Sequence, residues 1–260
     1  MKLIDKVKID PSIMRQFSTP PVDIQKAAIK ADFRSIRYIK NPNQEIQCLA
    51  VKLGGLEAYK LINNPCYDAK KILAAVQPMK ISRHIKVDET LMEIAIRANT
   101  DCVATFKEMP YRLQKLARDL SKPVELINLI IDPHPDLVRE YLKEKNRISI
   151  LKSVPPDVEL EYLNNSKSFK HVISYFSQLR NPSLIAQKHY VSMVIAMARR
   201  ENETLPPDVW KGVSNRVDDD MKYEILHTVD LSKNIERTMG DLRRIFRGND
   251  ALMSALTLMA

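Results

Sequence analysis

The chain has 260 residues and a formal net charge of +9, and its 5 glycines are outnumbered by 15 prolines. So few glycines argue against glycine-rich phosphate loops and against a sheet with many tight turns. Leucine, isoleucine, alanine, lysine and glutamate are abundant, which favours helices.

The N-terminal segment and the cysteines bear on where the protein works. Residues 1–14 interrupt their apolar side chains with charges, which is unsuited to the core of a signal peptide. No apolar run approaches the ~20 residues of a membrane span. Cys48, Cys66 and Cys102 form neither a Cys-x-x-Cys pair nor an even set for disulfides, so we expect reduced thiols. These features predict a cytoplasmic protein without membrane contact.

The first predicted element is a lead-in over residues 1–21. Pro11 fits the first turn of a short helix at 11–17, and Pro20-Pro21 ends that helix. From residue 22 onward the chain repeats one unit, and two markers keep the same period. The apolar anchors of the first helix in each copy are Ile24, Ile46, Ala69, Leu91, Leu113, Leu137 and Val158. The copies are closed by Pro20, Pro42, Pro65, Pro110, Pro133 and Pro155, and Asp88 stands where one proline is missing.

Each copy is predicted to contain two short helices, here called helix A and helix B. Apolar residues three, four and seven positions after the anchor give helix A one apolar face, as in Ile46, Leu49, Ala50 and Leu53. Helices of roughly 8–10 residues are unstable alone in water, so each must bury its apolar face against the next copy. This is the physical basis of a solenoid, and the fold class predicted is all-α.

Four stretches of this repeat resemble the short helical repeats of the HEAT-like superfamily. They are DIQKAAI (23–29), NPNQEIQCLAV (41–51), RLQKLAR (112–118) and DPHPDLVREYL (132–142). The nearest resemblance is to the leucine-rich repeat variant and to a tandem repeat of unknown function in bacterial and viral proteins. Ala69-Lys70 and Leu91-Met92 depart from the apolar-Gln pair of that motif. The resemblance, over about residues 21–155, implies an α-solenoid that serves as a binding platform; it implies no activity.

The repeat pattern loosens after Pro156. We expect helical repeats over residues 22–182 and a non-repetitive helical cap over 183–260. Within the cap the predicted helices lie at about 183–202, 207–216, 219–228, 232–247 and 250–259. Trp210 is expected to pack between repeats and cap, with a binding hot spot as the alternative. Asp218-Asp219-Asp220 is expected to cap a helix, with cation binding as the alternative.

The positive charge is unevenly distributed. Residues 1–155 carry 27 lysines and arginines against 18 aspartates and glutamates, whereas residues 156–260 carry 14 of each. Two sets of cations recur at the repeat period. The helix-B row is Arg37, Lys60 and Arg83, and the helix-A row is Lys26, Lys71, Lys115 and Arg139. Rows of like charge suit an acidic protein face or a polyanion, the alternative being a solvated surface that keeps the protein soluble.

Signatures of catalysis are missing from the sequence. It contains no phosphate-binding loop, no nucleophile elbow and no His-Glu-x-x-His, and its five histidines are scattered. We therefore expect no enzyme, no metal site and no cofactor. The predicted function is a non-enzymatic interaction module that docks an acidic partner protein on both basic rows. The alternative is a nucleic-acid binder that grips phosphates, although aromatic residues for base stacking are few. An enzyme acting on DNA is a third hypothesis, which would need a catalytic carboxylate in a basic groove.

Overall fold

The computed structural model describes residues 2–121, 126–145, 147–166, 168–201, 205, 207–228 and 235–259. The secondary structure of these residues is helical, without a β-strand, so the all-α prediction is confirmed. The chain divides into two compact units, Met1–Ile131 (unit 1) and Asp132–Ala260 (unit 2). The predicted segments 1–21, 22–182 and 183–260 were defined by the sequence repeat, whereas the two units are defined by spatial compactness. The predicted division therefore stays a prediction.

In unit 1, α-helices alternate with short 3₁₀ helices. The α-helices are α1 (Leu3–Ile9), α2 (Val22–Ala31), α3 (Gln44–Lys60), α4 (Tyr67–Val76), α5 (Glu89–Ala98) and α6 (Tyr111–Leu120). The 3₁₀ helices are η1 (Pro11–Gln16), η2 (Phe33–Tyr38), η3 (Pro78–Arg83) and η4 (Thr100–Thr105). Each α-helix packs on the next one along the chain, from α1 to α6. In unit 1, helix A of each copy is therefore an α-helix, and α2 to α5 each pack against the α-helix before them and the α-helix after them.

Helix B differs from the expected helix of 8–10 residues. In three copies, as in the lead-in, a 3₁₀ helix of six residues stands there, separated from the preceding α-helix by one non-helical residue. At three of these junctions the side chains of Asp10, Asp32 and Asn99 accept a hydrogen bond from the backbone N–H two residues ahead, at 2.9 Å in each. Such a local bond tightens the first turn and favours 3₁₀ geometry, which is used for short segments.

The second copy, whose anchor is Ile46, joins its two helices through Gly54-Gly55 instead. Gly55 has φ 53° and ψ −131°, a kink inside α3 that residues with a side chain rarely adopt. A Cβ atom at Gly54 would lie 2.2 Å from the ring of Phe33, and one at Gly55 would lie 2.6 Å from the amide of Gln77. Glycine is therefore favoured at both positions, by backbone geometry at Gly55 and by close packing against Phe33 at Gly54.

The core of unit 1 consists of the predicted anchors and a matching set from helix B. All seven anchors of the chain, from Ile24 to Val158, are buried. Twelve residues after the first four anchors stand Ile36, Ala58, Ile81 and Val103, which are also buried. One apolar residue from each of the two helices is thus buried at the repeat period.

The glutamine of the apolar-Gln pair bonds to the backbone, and Gln47 in addition links two successive copies. The Nε2 of Gln47 donates to the carbonyl of Pro42 at 2.8 Å, and its Oε1 accepts from the N–H of Cys66 at 2.7 Å. The Nε2 atoms of Gln25 and Gln114 donate to the carbonyl five residues earlier in the same way. Cys66 begins the next copy, so Gln47 connects the start of its own helix to the start of the next and satisfies two partly buried backbone groups.

In unit 2 the α-helices are α7 (Pro135–Lys145), α8 (Pro156–Asn164), α9 (Phe169–Gln178), α10 (Leu184–Glu201), α11 (Asp219–Thr228), α12 (Ile235–Phe246) and α13 (Asp250–Met259). Short 3₁₀ helices lie at Ile148–Ile150 and Pro207–Trp210. The predicted helix at 207–216 is wrong: it ends at Trp210 because Gly212 adopts φ 94° and turns the chain. Residues 232–234 of the predicted helix 232–247 lie outside the described residues.

Two polar groups of unit 2 repeat the glutamine device. Gln187 donates to the carbonyl of Pro182 at 2.8 Å and accepts from the N–H of Ser214 at 2.8 Å. Glu159 occupies the same position in α8, and its two carboxylate oxygens accept from the N–H of Ser183 at 3.2 and 3.0 Å. Burial raises the pKa of Glu159, although the bonds from Ser183 act to lower it. The linking device thus extends past residue 182 into the segment predicted to be non-repetitive.

Candidate binding surface

Most cations of the helix-A row are neutralised by nearby carboxylates. The Nζ of Lys26, on α2, forms an ion pair with Glu45 at the start of α3. The Nζ of Lys71, on α4, lies 3.1 Å from a carboxylate oxygen of Asp68, and this hydrogen bond raises the pKa of Lys71. Both acidic partners stand in the first turn of a helix, where a negative charge is favourable. These two lysines therefore present little unbalanced charge to a partner.

Arg139 on α7 is the most fully engaged member of this row. Its guanidinium lies within 2.9 Å of one carboxylate oxygen in each of Asp136, Asp157 and Glu161. Hydrogen bonds to these carboxylates, Glu161 first, raise its pKa further above the usual range. Arg139 joins the α7 helix to α8 and has no spare charge. Lys115 on α6 differs, since it is exposed and no described carboxylate pairs with it.

The helix-B row has a different environment. Arg37, Lys60 and Arg83 are all exposed, and none of the three forms an ion pair with a carboxylate in the described part of the chain. The guanidinium of Arg37 lies 4.8 Å from the ring centre of Tyr38, within cation–π distance. All three belong to unit 1. The structure thus separates the two predicted rows into one that is largely paired and one that is not.

The three helix-B cations are not in strict register. Measured from the buried residue of each copy, Arg37 follows Ile36 by one position, whereas Lys60 and Arg83 follow Ala58 and Ile81 by two. One residue in a 3₁₀ helix is a third of a turn. The spacing of 23 in the sequence therefore overstated the equivalence of Arg37 with the other two. Its true counterpart is Arg15, at the same place on η1.

Arg15 and Arg37 both contact Tyr38. The guanidinium carbon of Arg15 lies 4.4 Å from the Tyr38 ring centre, and its Nη2 donates to the Tyr38 hydroxyl at 3.0 Å. A phenol ring in contact with two guanidinium groups restrains both cations, and it does so without neutralising them as a carboxylate would. The predicted row did not include Arg15; the repeat period of 22 residues between Arg15 and Arg37 is the signal that would have found it.

A pocket of about 580 Å³ opens beside Arg37, between the segments that follow η2 and α3. Its polar side chains include Lys40, Asn41, Asn63 and Asn64. In the sequence, Asn41-Pro42 and Asn64-Pro65 indicate only the end of a helix. That these two loops lie together follows from the packing of η2 on α3.

Groups capable of other chemistry are held in unreactive settings. Burial raises the pKa of the Cys48 thiol to about 11 and that of Cys102 to about 12, so both stay protonated at neutral pH. Asp218 pairs with Lys188 at 2.9 Å and Asp219 with Lys222 at 2.8 Å. Across the described residues, no group of three His, Cys, Asp or Glu side chains is placed to hold a metal ion.

Trp210 is part of the interior of unit 2. Its side chain is 1% exposed, and its 3₁₀ helix packs on α12. The neighbouring carbonyl of Val209 accepts a hydrogen bond from the buried Tyr190 hydroxyl at 2.6 Å. A side chain so completely enclosed has no surface to offer a partner, which removes the alternative that Trp210 is a binding hot spot.

Comparisons of the chain with protein-family models, with curated proteins and with solved structures found no match. None of the described helices combines the length and the apolar character needed to cross a membrane. The function is therefore inferred from the surface chemistry of the described residues.

Proposed function

We propose that the chain is a non-enzymatic interaction module that docks an acidic partner protein on the surface formed by Arg37, Lys60 and Arg83. The observation that carries this proposal is the contrast between the two rows. Arg37, Lys60 and Arg83 are exposed and have no carboxylate partner among the described residues, whereas all members of the helix-A row except Lys115 are paired. An unpaired surface cation contributes little to folding but is available to an external anion.

The distribution of charge between the units supports the same reading. Residues 1–131 carry 22 lysines and arginines and 14 aspartates and glutamates, a net charge of +8. Residues 132–260 carry 19 and 18, a net charge of +1. Excess charge of one sign costs stability through self-repulsion and accelerates association with an oppositely charged surface.

The scaffold for this module is, in our proposal, an α-solenoid of two-helix repeats of the HEAT-like kind. Three features support it: consecutive helices pack on one another, the anchors are buried at the repeat period, and the Gln47 side chain links two successive copies. Such an array presents helix B of each copy along one extended surface, which suits a partner that contacts several copies at once.

Nucleic acid is the second candidate partner, and the net charge of +8 in unit 1 favours it. Phosphate contacts would come from the same cations without reading base sequence. Capture from a nuclease-treated lysate of the native host separates the two candidates. We expect one stoichiometric acidic protein to be retained by the wild type after nuclease treatment, and to be lost with the variant Arg37→Glu, Lys60→Glu, Arg83→Glu.

The variant should keep the helical circular dichroism of the wild type, because its three changes lie at exposed positions. Loss of the captured protein after nuclease treatment alone would favour nucleic acid. Equal capture by the variant and the wild type would show that these cations are only a solvated face.

A further inference from the structure

The pocket beside Arg37 has a composition that selects one kind of ligand. Its floor contains the buried side chains of Ile36 and Ile62, and its walls carry Arg37, Lys40 and three asparagines. None of the residues that line it is an aspartate or a glutamate. At about 580 Å³ it is within the ~300–1,000 Å³ range of ligand pockets, far more than a single small ion fills.

Most polar side chains of the pocket make no hydrogen bond to the described part of the chain. Asn41, Asn63 and Asn64 are exposed, and their side-chain amides make no hydrogen bond to the described residues; the ammonium group of Lys40 likewise has no partner there. Gln47 also lines the pocket, but its amide is used at both ends by the backbone. The Gln47 amide therefore holds the pocket wall in place, and the amides of Asn41, Asn63 and Asn64 are available to a ligand.

Amide side chains decide between the two kinds of anion that the cations would accept. Each asparagine supplies a carbonyl acceptor as well as two N–H donors. A phosphate group presents acceptors, which leaves the three carbonyl oxygens unmatched. An extended peptide presents backbone N–H and C=O groups in alternation, which match both ends of an amide. No aromatic ring lines the pocket, so a nucleic-acid base has nothing to stack on.

We propose that this pocket binds an extended acidic segment of the partner protein. A carboxylate of the segment pairs with Arg37 and Lys40, its backbone is bonded by Asn63 and Asn64, and an aliphatic part of a side chain lies on Ile36 and Ile62. The proposal rests on the proposed docking function and adds to it a defined point of attachment, together with the chemistry of the segment that occupies it.

Fluorescence anisotropy with a fluorescein-labelled, end-blocked octapeptide of alternating glutamate and alanine tests the proposal. We expect saturable binding to the full chain, weakened about tenfold by Asn63→Ala with Asn64→Ala, the loss expected for two hydrogen bonds. Asn63→Asp with Asn64→Asp keeps the side-chain shape and should abolish binding by repulsion. Lys52→Gln removes an exposed cation of unit 1 that does not line the pocket, and it should change the affinity less than twofold.

Two results would overturn the pocket. One is equal peptide binding by the wild type and the Asn63→Ala, Asn64→Ala variant. The other is displacement of the peptide by inorganic phosphate or by a short single-stranded oligonucleotide, with the same affinity for the wild type and for the Asn63→Ala, Asn64→Ala variant. That result would show that the pocket is a phosphate site. If the double variant still captures the acidic protein and the Arg37, Lys60, Arg83 reversal does not, the docking surface stands and the pocket alone fails. Equal capture by both variants and the wild type would reject both.

Discussion

The two units use the same means of construction but carry different surfaces. In both, an apolar anchor is buried and a polar side chain beside it bonds to the backbone of a later segment, as Gln47 does in unit 1 and Gln187 in unit 2. Yet unit 1 has a net charge of +8 and unit 2 of +1. Because the shared construction does not require the excess charge, the positive surface of unit 1 needs an explanation other than folding.

The largest expected effect is on the free energy of unfolding, and it tests whether the buried anchors stabilise unit 1. Leu113 is an anchor of unit 1 with no exposed surface, and Leu113→Asp would place an unpaired carboxylate in the apolar interior. We expect a loss of more than about 4 kcal/mol in the free energy of unfolding, measured by urea denaturation followed by circular dichroism. Lys115→Asp, two residues further on an exposed site, should fold as the wild type does. Similar loss in both variants would show that the assignment of the buried face of α6 is wrong.

The next effect concerns the glutamine link in unit 1. Gln47→Ala leaves the Pro42 carbonyl and the Cys66 N–H without their side-chain partner. Because buried unpaired groups are costly, we expect a loss of about 1–3 kcal/mol in the free energy of unfolding. Lys52→Ala on the same helix is the exposed control and should cost less than about 0.5 kcal/mol. An equal effect of the two substitutions would remove the structural role of the glutamine.

A smaller effect of opposite sign, a gain in stability, is expected at Glu159, which stands in unit 2 at the position that Gln47 has in unit 1. Glu159→Gln would accept from Ser183 as the carboxylate does, and its Nε2 would donate to the carbonyl of Val154, five residues earlier, as in the other copies. We expect a gain of about 1 kcal/mol in the free energy of unfolding at pH 7.

The pH dependence of this gain identifies its cause. The pKa of Glu159 is raised in the folded protein, so the folded state holds its proton more tightly than the unfolded state. Wild-type stability from this group is then greatest below the unfolded pKa of about 4.3 and falls as pH rises through the folded pKa. The advantage of Glu159→Gln in thermal unfolding should therefore shrink between pH 7 and pH 4. A variant less stable than the wild type at pH 7 would contradict this account.

The sequence predicted the features that depend on period and hydrophobicity. Seven anchors, the all-α class and the helices near 183–202, 219–228 and 250–259 followed from residues close together in the chain. Whether each cation is paired with a carboxylate could not be predicted in this way. The partner of Lys26 is Glu45 and the partners of Arg139 include Asp157 and Glu161, and these three carboxylates all lie in the next copy. Ion pairs between copies can be read from a sequence only after the register of both copies is known.

The second helices and the pocket were missed for a related reason. An Asp or Asn at a helix junction was not recognised as the start of a 3₁₀ turn, so helix B was predicted too long at Asp32 and Asn99. The pocket combines two loops that end different copies, with Asn41 from one and Asn63 and Asn64 from the other. Its members share no spacing within one copy that would set them apart.

A matched pair of triple variants tests most directly whether the unpaired cations form the docking surface. One carries Arg37→Gln, Lys60→Gln and Arg83→Gln; the other carries Lys26→Gln, Lys71→Gln and Lys115→Gln. Both sets lie in unit 1 and lower the net charge by the same amount, so long-range attraction falls equally. Association with the captured acidic partner, measured by surface plasmon resonance at two salt concentrations, should weaken at least about tenfold in the first variant, mainly through slower association. In the second it should change less than about threefold, because two of its three lysines are already paired. Equal weakening of both variants, or none in the first, would contradict the account.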